Sequence, residues 1–195
     1  MQETLKYYDQ NADIFIADTM GIDITETRSR FTACLPDHAY VLDFGCGSGR
    51  DTKAFLDMGF LVDATDGSEE MCIRASEYTG IQVRKMLFQE LDAYEKYDGI
   101  WACASILHLP RAELTDVIKK METALKTGGV LYTSFKYGDT EGMKNGRYFT
   151  YFTEESLNEF WEDASLLQIF DRWITQDVRP HRKEEKWINL LARRV

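Results

Sequence analysis

Short apolar runs alternate along the chain with stretches in which apolar residues recur every three or four positions. The runs predict buried β-strands and the periodic stretches predict the helices between them. The clearest helix is "PRAELTDVIKKMETALKTGG", in which Pro110 precedes the periodic residues and Gly128 follows them. The predicted strands lie in the runs at residues 39–44, 60–66, 81–88, 97–105 and 130–136.

Capping residues mark the ends of two further helices. Ser68 is a suitable N-cap before Glu69, and Gly80 is a suitable C-terminal stop. Thr153 begins a helix in the same way. After that helix come two extended runs around a charged turn that contains proline, which predicts an antiparallel hairpin.

This order of elements predicts a doubly wound α/β fold, a Rossmann-like arrangement with helices on both faces of the sheet. We expect a mostly parallel seven-stranded sheet that ends in a C-terminal antiparallel hairpin. The 195 residues are enough for one core, so we expect a single domain over residues 1–195. Residues 1–38 are predicted as a helical cover over the carboxyl ends of the strands, and residues 39–195 as the sheet core.

Composition is that of an ordinary globular protein, with 44% apolar and 29% charged residues. No apolar run approaches the roughly 20 residues of a membrane span, and no signal peptide is apparent, so we expect no membrane partner. The four cysteines are scattered without a C-x-x-C pair, which favours a reducing, cytoplasmic setting and predicts no metal site.

The formal net charge of −10 disfavours nucleic acid as a partner, because proteins that bind phosphate backbones carry basic patches. The charge is uneven, however, since Lys and Arg outnumber acids after Arg172. This basic segment is either a solvated strand face or a rim that attracts an anionic substrate. The sequence leaves the oligomeric state open.

Three glycines follow the first predicted strand in "VLDFGCGSGRD". Gly45, Gly47 and Gly49 allow a sharp turn whose backbone amides approach a ligand closely, or a tight turn with no ligand. A nicotinamide-dependent oxidoreductase uses G-x-G-x-x-G, whereas here the sixth position is Arg50. The spacing therefore disfavours a pyrophosphate site.

Asp66 ends the second predicted strand in "VDATDGS". A carboxylate at this place accepts hydrogen bonds from the vicinal hydroxyls of a ribose. It has two competing interpretations: Asp66 caps the next helix, or Asp63 is the ribose ligand. Asp63 lies inside the apolar run, so Asp66 is preferred.

The segments "VLDFGCGSGRD", "VDATDGSEEMCIRA" and "YDGIWACASILHLP" together resemble the class I S-adenosylmethionine-dependent methyltransferases. The resemblance is greatest to the small bacterial group of tellurite-resistance type and runs from about Tyr7 to the C-terminus. It implies S-adenosyl-L-methionine as cofactor and methyl transfer as the activity. It does not identify the methyl acceptor.

The resemblance also implies a role for individual residues in cofactor binding. It assigns Asp66 to the ribose hydroxyls, and it implies a thinner adenine sandwich because Gly67 is smaller than the family's usual residue. The remaining implied contacts are Gly45 and Gly47 with the methionine part and ribose, Gly67 and Met71 with adenine, the Phe88 backbone with the adenine amino group, and the Ala102 carbonyl with the methionine amino group.

Three polar residues near these motifs have two interpretations each. Tyr8 closes over the cofactor or the acceptor, or it packs in the core. Arg50 approaches the cofactor carboxylate or is an exposed cation at a helix start. His108 is a general base for the acceptor or, as we prefer, an orienting or packing residue.

The segment "SFKYGDTEGMKNGRYFTYFT" is interpreted as a long loop with interleaved cations and aromatics. Together with the basic turn after it, the segment predicts a substrate-binding wall for an acceptor with negative charge, the alternative being a solvated surface loop. The residues of that wall are Lys136, Tyr137, Arg147, Tyr148 and Arg179.

The sequence therefore predicts methyl transfer, by in-line displacement, to a small acceptor, and the cationic wall favours an acceptor with negative charge. A small molecule is favoured because the chain is acidic and carries no appended RNA-binding domain. The alternatives are a nicotinamide-dependent oxidoreductase, a methyltransferase that acts on a modified tRNA base, and a non-catalytic cofactor-binding protein.

Overall fold

The computed structural model describes residues 2–179, 182 and 184–195, and its helices pack on both faces of one sheet. No helix among the described residues is both long enough and apolar enough to span a membrane. The helices are α1 (Gln2–Met20), α2 (Thr25–Thr32), α3 (Arg50–Asp57), α4 (Glu69–Thr79), α5 (Arg111–Ala124) and α6 (Glu154–Ala164). The strands are β1 (Tyr40–Phe44), β2 (Leu61–Asp66), β3 (Arg84–Lys85), β4 (Tyr97–Ala102), β5 (Leu125–Tyr137), β6 (Glu141–Lys144), β7 (Arg147–Phe152), β8 (Gln168–Gln176) and β9 (Lys186–Arg193).

The predicted fold class is confirmed. Strands β3, β2, β1, β4 and β5 pair in that order and run parallel. β9 pairs antiparallel with β5, and β8 with β9, so the C-terminal hairpin completes a seven-stranded sheet. The strand order reverses between β1 and β4, and a crevice opens at the carboxyl ends of these strands.

The segment after β5 is a hairpin rather than the predicted loop, which brings the strand count to nine. β6 and β7 pair antiparallel, and β7 also pairs with the last two residues of β5. The hairpin turns at Asn145 and Gly146, which have φ angles of 50° and 77°. Asn-Gly is the pair that a tight turn with two positive φ angles prefers, so the sequence did contain a signal for this hairpin.

Each face of the sheet has its own hydrophobic core. On one face α5 and α6 bury residues such as Val117 and Trp161 against β4 and β5. On the other face α2 and α3 contribute Phe31 and Phe55, which pack on Trp101. The predicted caps are present. The Ser68 hydroxyl accepts a hydrogen bond from the Met71 amide, and the Thr153 hydroxyl accepts one from the Ser156 amide, both at 3.2 Å.

Helix α1 crosses the carboxyl ends of the strands and is held there by hydrogen bonds. Thr4 Oγ1 accepts a bond from the backbone amide of Tyr148 in β7 at 3.0 Å. Asp9 accepts a bond from the Ser68 hydroxyl at the start of α4 at 2.6 Å. The helix kinks at Asn11. These bonds tie α1 to both sides of the crevice.

Two glycines of the turn after β1 are needed for packing within the protein. A Cβ on Gly45 would lie 2.5 Å from Cβ of Ser105, in the segment after β4. A Cβ on Gly49 would lie 2.8 Å from Cγ2 of Thr79 in α4, and both glycines have positive φ angles of 83° and 75°. The turn therefore approaches two other segments more closely than any side chain allows.

We predict that Gly49→Ala lowers the free energy of unfolding by about 3 kcal/mol, because it combines a strained φ angle with a clash against Thr79. Gly128→Ala is the matched control, because Gly128 has a φ of 81° and open space around its Cβ position. Strain alone predicts a loss of about 1 kcal/mol there. Equal losses in urea unfolding would contradict the close approach of α4.

Candidate active site

A cavity of about 430 Å³ lies at the carboxyl ends of β1, β2, β4 and β5. Helix α1, strand β7 and the connection between β8 and β9 also line it. The cavity has two parts: a first half around Gly45 and Asp66, and a second half around His108 and Arg147. We call them the cofactor half and the acceptor half.

Asp66 is the central polar group of the cofactor half. One carboxylate oxygen accepts a hydrogen bond from the backbone amide of Gly47, and the other accepts one from the backbone amide of Ser68, each at 2.9 Å. Burial raises the pKa of Asp66, and these two hydrogen bonds oppose the rise. Each carboxylate oxygen keeps a further lone pair, and the residue lines the cavity. This arrangement fits a ligand with two neighbouring hydroxyl groups.

An apolar wall stands beside Asp66. Met71, Leu87 and Phe88 line this part of the cavity, and Leu5 of α1 lies opposite Gly67. A flat ring fits between such surfaces, because it loses contact with water without leaving a polar group unpaired. Together with the carboxylate, the wall fits a nucleoside.

Asp43 is a second carboxylate on the cavity wall, at the end of β1. It is 2% exposed and accepts a hydrogen bond from Thr52 at 2.5 Å. Burial and then the charge of Asp51 raise its pKa to about 7. A ligand cation near this carboxylate favours its ionised form, so the cofactor half also fits the ammonium group of an amino acid.

Most of the predicted cofactor residues line this one cavity. Arg50 also donates hydrogen bonds to Asp51 and to the carbonyl of Thr19, so it joins the end of α1 to the start of α3. The predicted residues found on the wall are Tyr8, Gly45, Gly47, Arg50, Asp66, Gly67, Met71 and Phe88.

Ala102 is the predicted cofactor residue that does not line the cavity. It is fully buried within β4, and its carbonyl accepts the Thr133 hydroxyl at 3.3 Å. The next residues, Cys103 and Ala104, line the cavity instead. Ala104 has a φ of 50°, so the chain turns into the cavity only after the strand has ended. Strand pairing keeps Ala102 inside the sheet.

Arg147 dominates the acceptor half. Its side chain is buried at 7% exposure, and the guanidinium carbon lies 4.5 Å from the ring centre of Tyr7 and 5.1 Å from that of Phe149. Its Nε atom is buried without a hydrogen-bond partner. No acid among the described residues lies within ion-pair distance of it. A buried cation without a counter-charge is unfavourable unless a ligand supplies one.

A second cationic group on the wall is already paired. Asp177 accepts two hydrogen bonds from the Arg179 guanidinium and one from the Trp187 indole, which hold its pKa well below the usual range although burial opposes this. Lys136 contacts both Asp177 and Glu185 and is 4% exposed. Burial lowers the pKa of Lys136 to about 8, with the charge of Asp177 opposing the shift and that of Arg179 adding to it.

Both ring nitrogens of His108 form hydrogen bonds. Nδ1 lies 2.6 Å from the backbone oxygen of Tyr148, which only accepts, so Nδ1 carries the hydrogen. Nε2 then accepts the hydrogen of the Tyr8 hydroxyl at 2.8 Å. Burial lowers the pKa of His108 to about 4, so the ring is neutral near pH 7. The lone pair of a general base is therefore engaged by Tyr8.

Two predicted substrate residues, Tyr137 and Tyr148, do not line the cavity. Tyr137 packs on the core, and the Tyr148 hydroxyl donates to Glu141 at 2.6 Å. Successive side chains of a strand point to opposite faces, so Arg147 and Phe149 share the face turned to the cavity and Tyr148 has the other. Phe149 was not predicted as a site residue, because the sequence of this strand was interpreted as a loop.

The sequence of the chain is similar to those of known methyltransferases. Residues 41–129 match a family model described as a methyltransferase domain. A probable S-adenosyl-L-methionine-dependent methyltransferase, TehB of Haemophilus influenzae, is 24% identical over 98% of this chain and 69% of its own length. An uncharacterized methyltransferase of Staphylococcus carnosus is 29% identical over 62% of each chain.

Solved structures share the fold. The 1,6-didemethyltoxoflavin-N1-methyltransferase of Burkholderia thailandensis, with bound 1,6-didemethyltoxoflavin and S-adenosylhomocysteine, has a TM-score of 0.78 at 24% identity and covers 98% of this chain and 85% of its own. TehB of Haemophilus influenzae has a TM-score of 0.72 at 20% identity, and the match covers 95% of this chain and 67% of the TehB chain. The family model and the relatives confirm the resemblance that the motifs predicted, which is to the class I S-adenosylmethionine-dependent methyltransferases.

Proposed function

We propose that this methyltransferase acts, by in-line displacement, on a small acceptor that carries a negative charge. The observation that carries the proposal is Arg147, a buried cation on the cavity wall that has no acid partner among the described residues. A carboxylate or another anionic group on the acceptor would supply the missing counter-charge and hydrogen-bond acceptors.

The cofactor half would hold S-adenosylmethionine through residues already described. Asp66 would accept the ribose hydroxyls, Asp43 would face the ammonium group, and the apolar wall would enclose adenine. When bound, the cofactor supplies a sulfonium methyl group that is already electrophilic. The protein's task is then to align the nucleophile and exclude water, and such positioning contributes roughly 7–11 kcal/mol.

The size and charge of the acceptor half support a small anion. Lys136, Arg179 and Arg182 share two acids, Asp177 and Glu185, so these groups together carry a net positive charge beside Arg147. The whole cavity, at about 430 Å³, must hold cofactor and acceptor together. The Burkholderia thailandensis enzyme, whose structure contains a bound small-molecule acceptor, is consistent with this size class.

Tyr8 and His108 would position the acceptor rather than remove its proton. His108 accepts a hydrogen bond from the Tyr8 hydroxyl, and the Tyr8 oxygen accepts one from the Arg147 guanidinium at 3.5 Å, so these three side chains hold one another in place on the cavity wall. The low pKa of His108 disfavours the protonated ring that a general base must become. This favours an acceptor whose nucleophilic atom is ionised or has a free lone pair before it binds.

The proposal is tested by measuring S-adenosylhomocysteine release with matched acceptors. The panel should pair small carboxylates with their neutral amides, and include bulk tRNA. We expect turnover with carboxylate members only. Turnover with the neutral partners alone would overturn the anionic acceptor, and turnover with tRNA alone would overturn the small one. Cofactor binding without any turnover would favour a non-catalytic cofactor-binding protein.

We predict that Asp66→Asn weakens S-adenosylmethionine binding by about tenfold or more, because the new amide nitrogen faces a backbone amide and one ligand hydrogen bond is lost. The control is Asp63→Asn. Asp63 bonds Tyr40, Tyr97 and Lys96 and does not line the cavity. Calorimetry should show unchanged affinity for the control, and the same weakening in both variants would refute the assignment of Asp66.

Arg147→Ala should raise KM for an anionic acceptor by about tenfold or more and leave cofactor affinity unchanged, since a charge-assisted pair is lost. Arg179→Ala should raise KM less, because Asp177 already neutralises Arg179. Arg172→Ala, which removes an arginine that pairs with Glu154 outside the cavity, serves as control. A loss of cofactor binding in Arg147→Ala would place this residue in the cofactor half.

Because Lys136 lines the cavity and titrates near neutral pH, we predict that acceptor binding depends on pH. Its pKa of about 8 lies below the ordinary value for lysine, so its positive charge is present below about pH 8 and is lost as the pH rises through that value. KM for a carboxylate acceptor should therefore rise between about pH 7 and about pH 9. In Lys136→Met the KM should be high and constant over this range. A rise that persists in the variant would assign the titration to another group.

A further inference from the structure

Gly67 follows Asp66 directly and lacks the side chain that would cover the nucleoside on that side. Its φ lies outside the left-handed region, so the backbone does not require glycine. A Cβ built on Gly67 would lie 2.7 Å from Cδ2 of Leu5 in α1 and 3.5 Å from Cδ2 of Leu87. The first distance is a clash, so Leu5 already occupies this space.

Leu5 also belongs to the cofactor half by its surroundings. It lines the cavity together with Asp66, Met71 and Phe88, and its side chain is half-buried. When a flat apolar ligand covers an apolar side chain that lines a cavity, apolar surface is removed from water, and this favours binding. The place beside a ribose-binding carboxylate is where the base of a nucleoside lies.

Contacts of α1 on both the N-terminal and the C-terminal side of Leu5 fix the position of this residue. One residue earlier Thr4 is bonded to β7, and four residues later Asp9 is bonded to Ser68 at the start of α4. In addition, Asp13 pairs with Arg74 of α4 at 3.1 Å. Leu5 is thus positioned by contacts on each side of it, as a binding residue must be.

We propose that Leu5 replaces the side chain that Gly67 lacks and forms one wall of the adenine site, so that the first helix is part of the cofactor site. This inference rests on the proposed binding of S-adenosylmethionine in the cofactor half. It corrects the expectation of a thinner sandwich, since the missing surface comes from a residue 62 positions earlier in the chain.

A side-chain swap tests the proposal with S-adenosylhomocysteine affinity as the readout. Leu5→Ala should weaken binding about tenfold through the lost apolar contact. Gly67→Val should weaken it by a similar factor because its side chain clashes with Leu5. The double variant Leu5→Ala/Gly67→Val moves the apolar group from one segment to the other, and it should bind within about threefold of the wild type.

If the two losses of affinity multiply in the double variant, the proposal is overturned, because two independent substitutions do not compensate for each other. Should Gly67→Val fail to fold, the comparison of the double variant with Leu5→Ala still decides: tighter binding supports the swap, and equal or weaker binding overturns it. The matched control is Ile14→Ala, which removes an exposed apolar side chain of the same helix and should leave affinity unchanged.

5′-Methylthioadenosine, which keeps the nucleoside and lacks the amino acid, assigns the contact to adenine. Leu5→Ala should weaken its binding by the same factor as that of S-adenosylhomocysteine. An unchanged affinity for this probe would overturn the adenine contact. A wild-type protein that binds neither probe would overturn the cofactor half itself, a result distinct from normal binding that is insensitive to Leu5.

Discussion

The site depends on the close contact between the turn after β1 and the segment after β4. Gly45 lies so near Ser105 that a Cβ would clash, and the Ser105 hydroxyl donates to the carbonyl of Phe44 at 2.6 Å. This contact joins two strands whose connections leave the sheet in opposite directions. It sets the position of the Gly47 amide that holds the Asp66 carboxylate. A larger residue at position 45 would separate the two segments and with them both halves of the cavity.

Helix α1 couples the two halves because one turn of it touches both. Leu5 faces the apolar wall beside Asp66, and Tyr8, three residues later, bonds His108 in the acceptor half. Residues three apart lie on the same face of a helix. Its bonds to β7 and α4 hold that face over the crevice. A cofactor packed on this turn, as we propose, would also order the part of α1 that faces the acceptor half.

The acceptor half of the cavity is rich in positive charge, whereas the chain as a whole is negatively charged. The protein carries a formal net charge of −10, yet its acceptor half concentrates cations. Most of these are neutralised by Asp177 and Glu185, whereas Arg147 is surrounded by aromatic rings. The net charge of the whole chain therefore does not describe the charge inside the cavity.

Interpretation of the sequence succeeded where the signal was local and failed where it depended on strand geometry. Strand and helix order and the caps at Ser68 and Thr153 follow from neighbouring residues, and the structure has them. Ala102 does not line the cavity, because strand pairing continues to that residue and the cavity lining begins one residue later. The β6–β7 hairpin was interpreted as a loop, although its Asn-Gly pair was visible.

By itself the sequence predicted the class of fold through the order of its elements, and its three short motifs resemble a family whose methyl donor is S-adenosylmethionine. Only the tertiary structure decided which side chains share a wall. Leu5 and Gly67 meet across a crevice, Arg147 lacks an acid partner among the described residues, and Arg179 has Asp177. These facts depend on which distant segments the sheet brings together, and no local pattern encodes them.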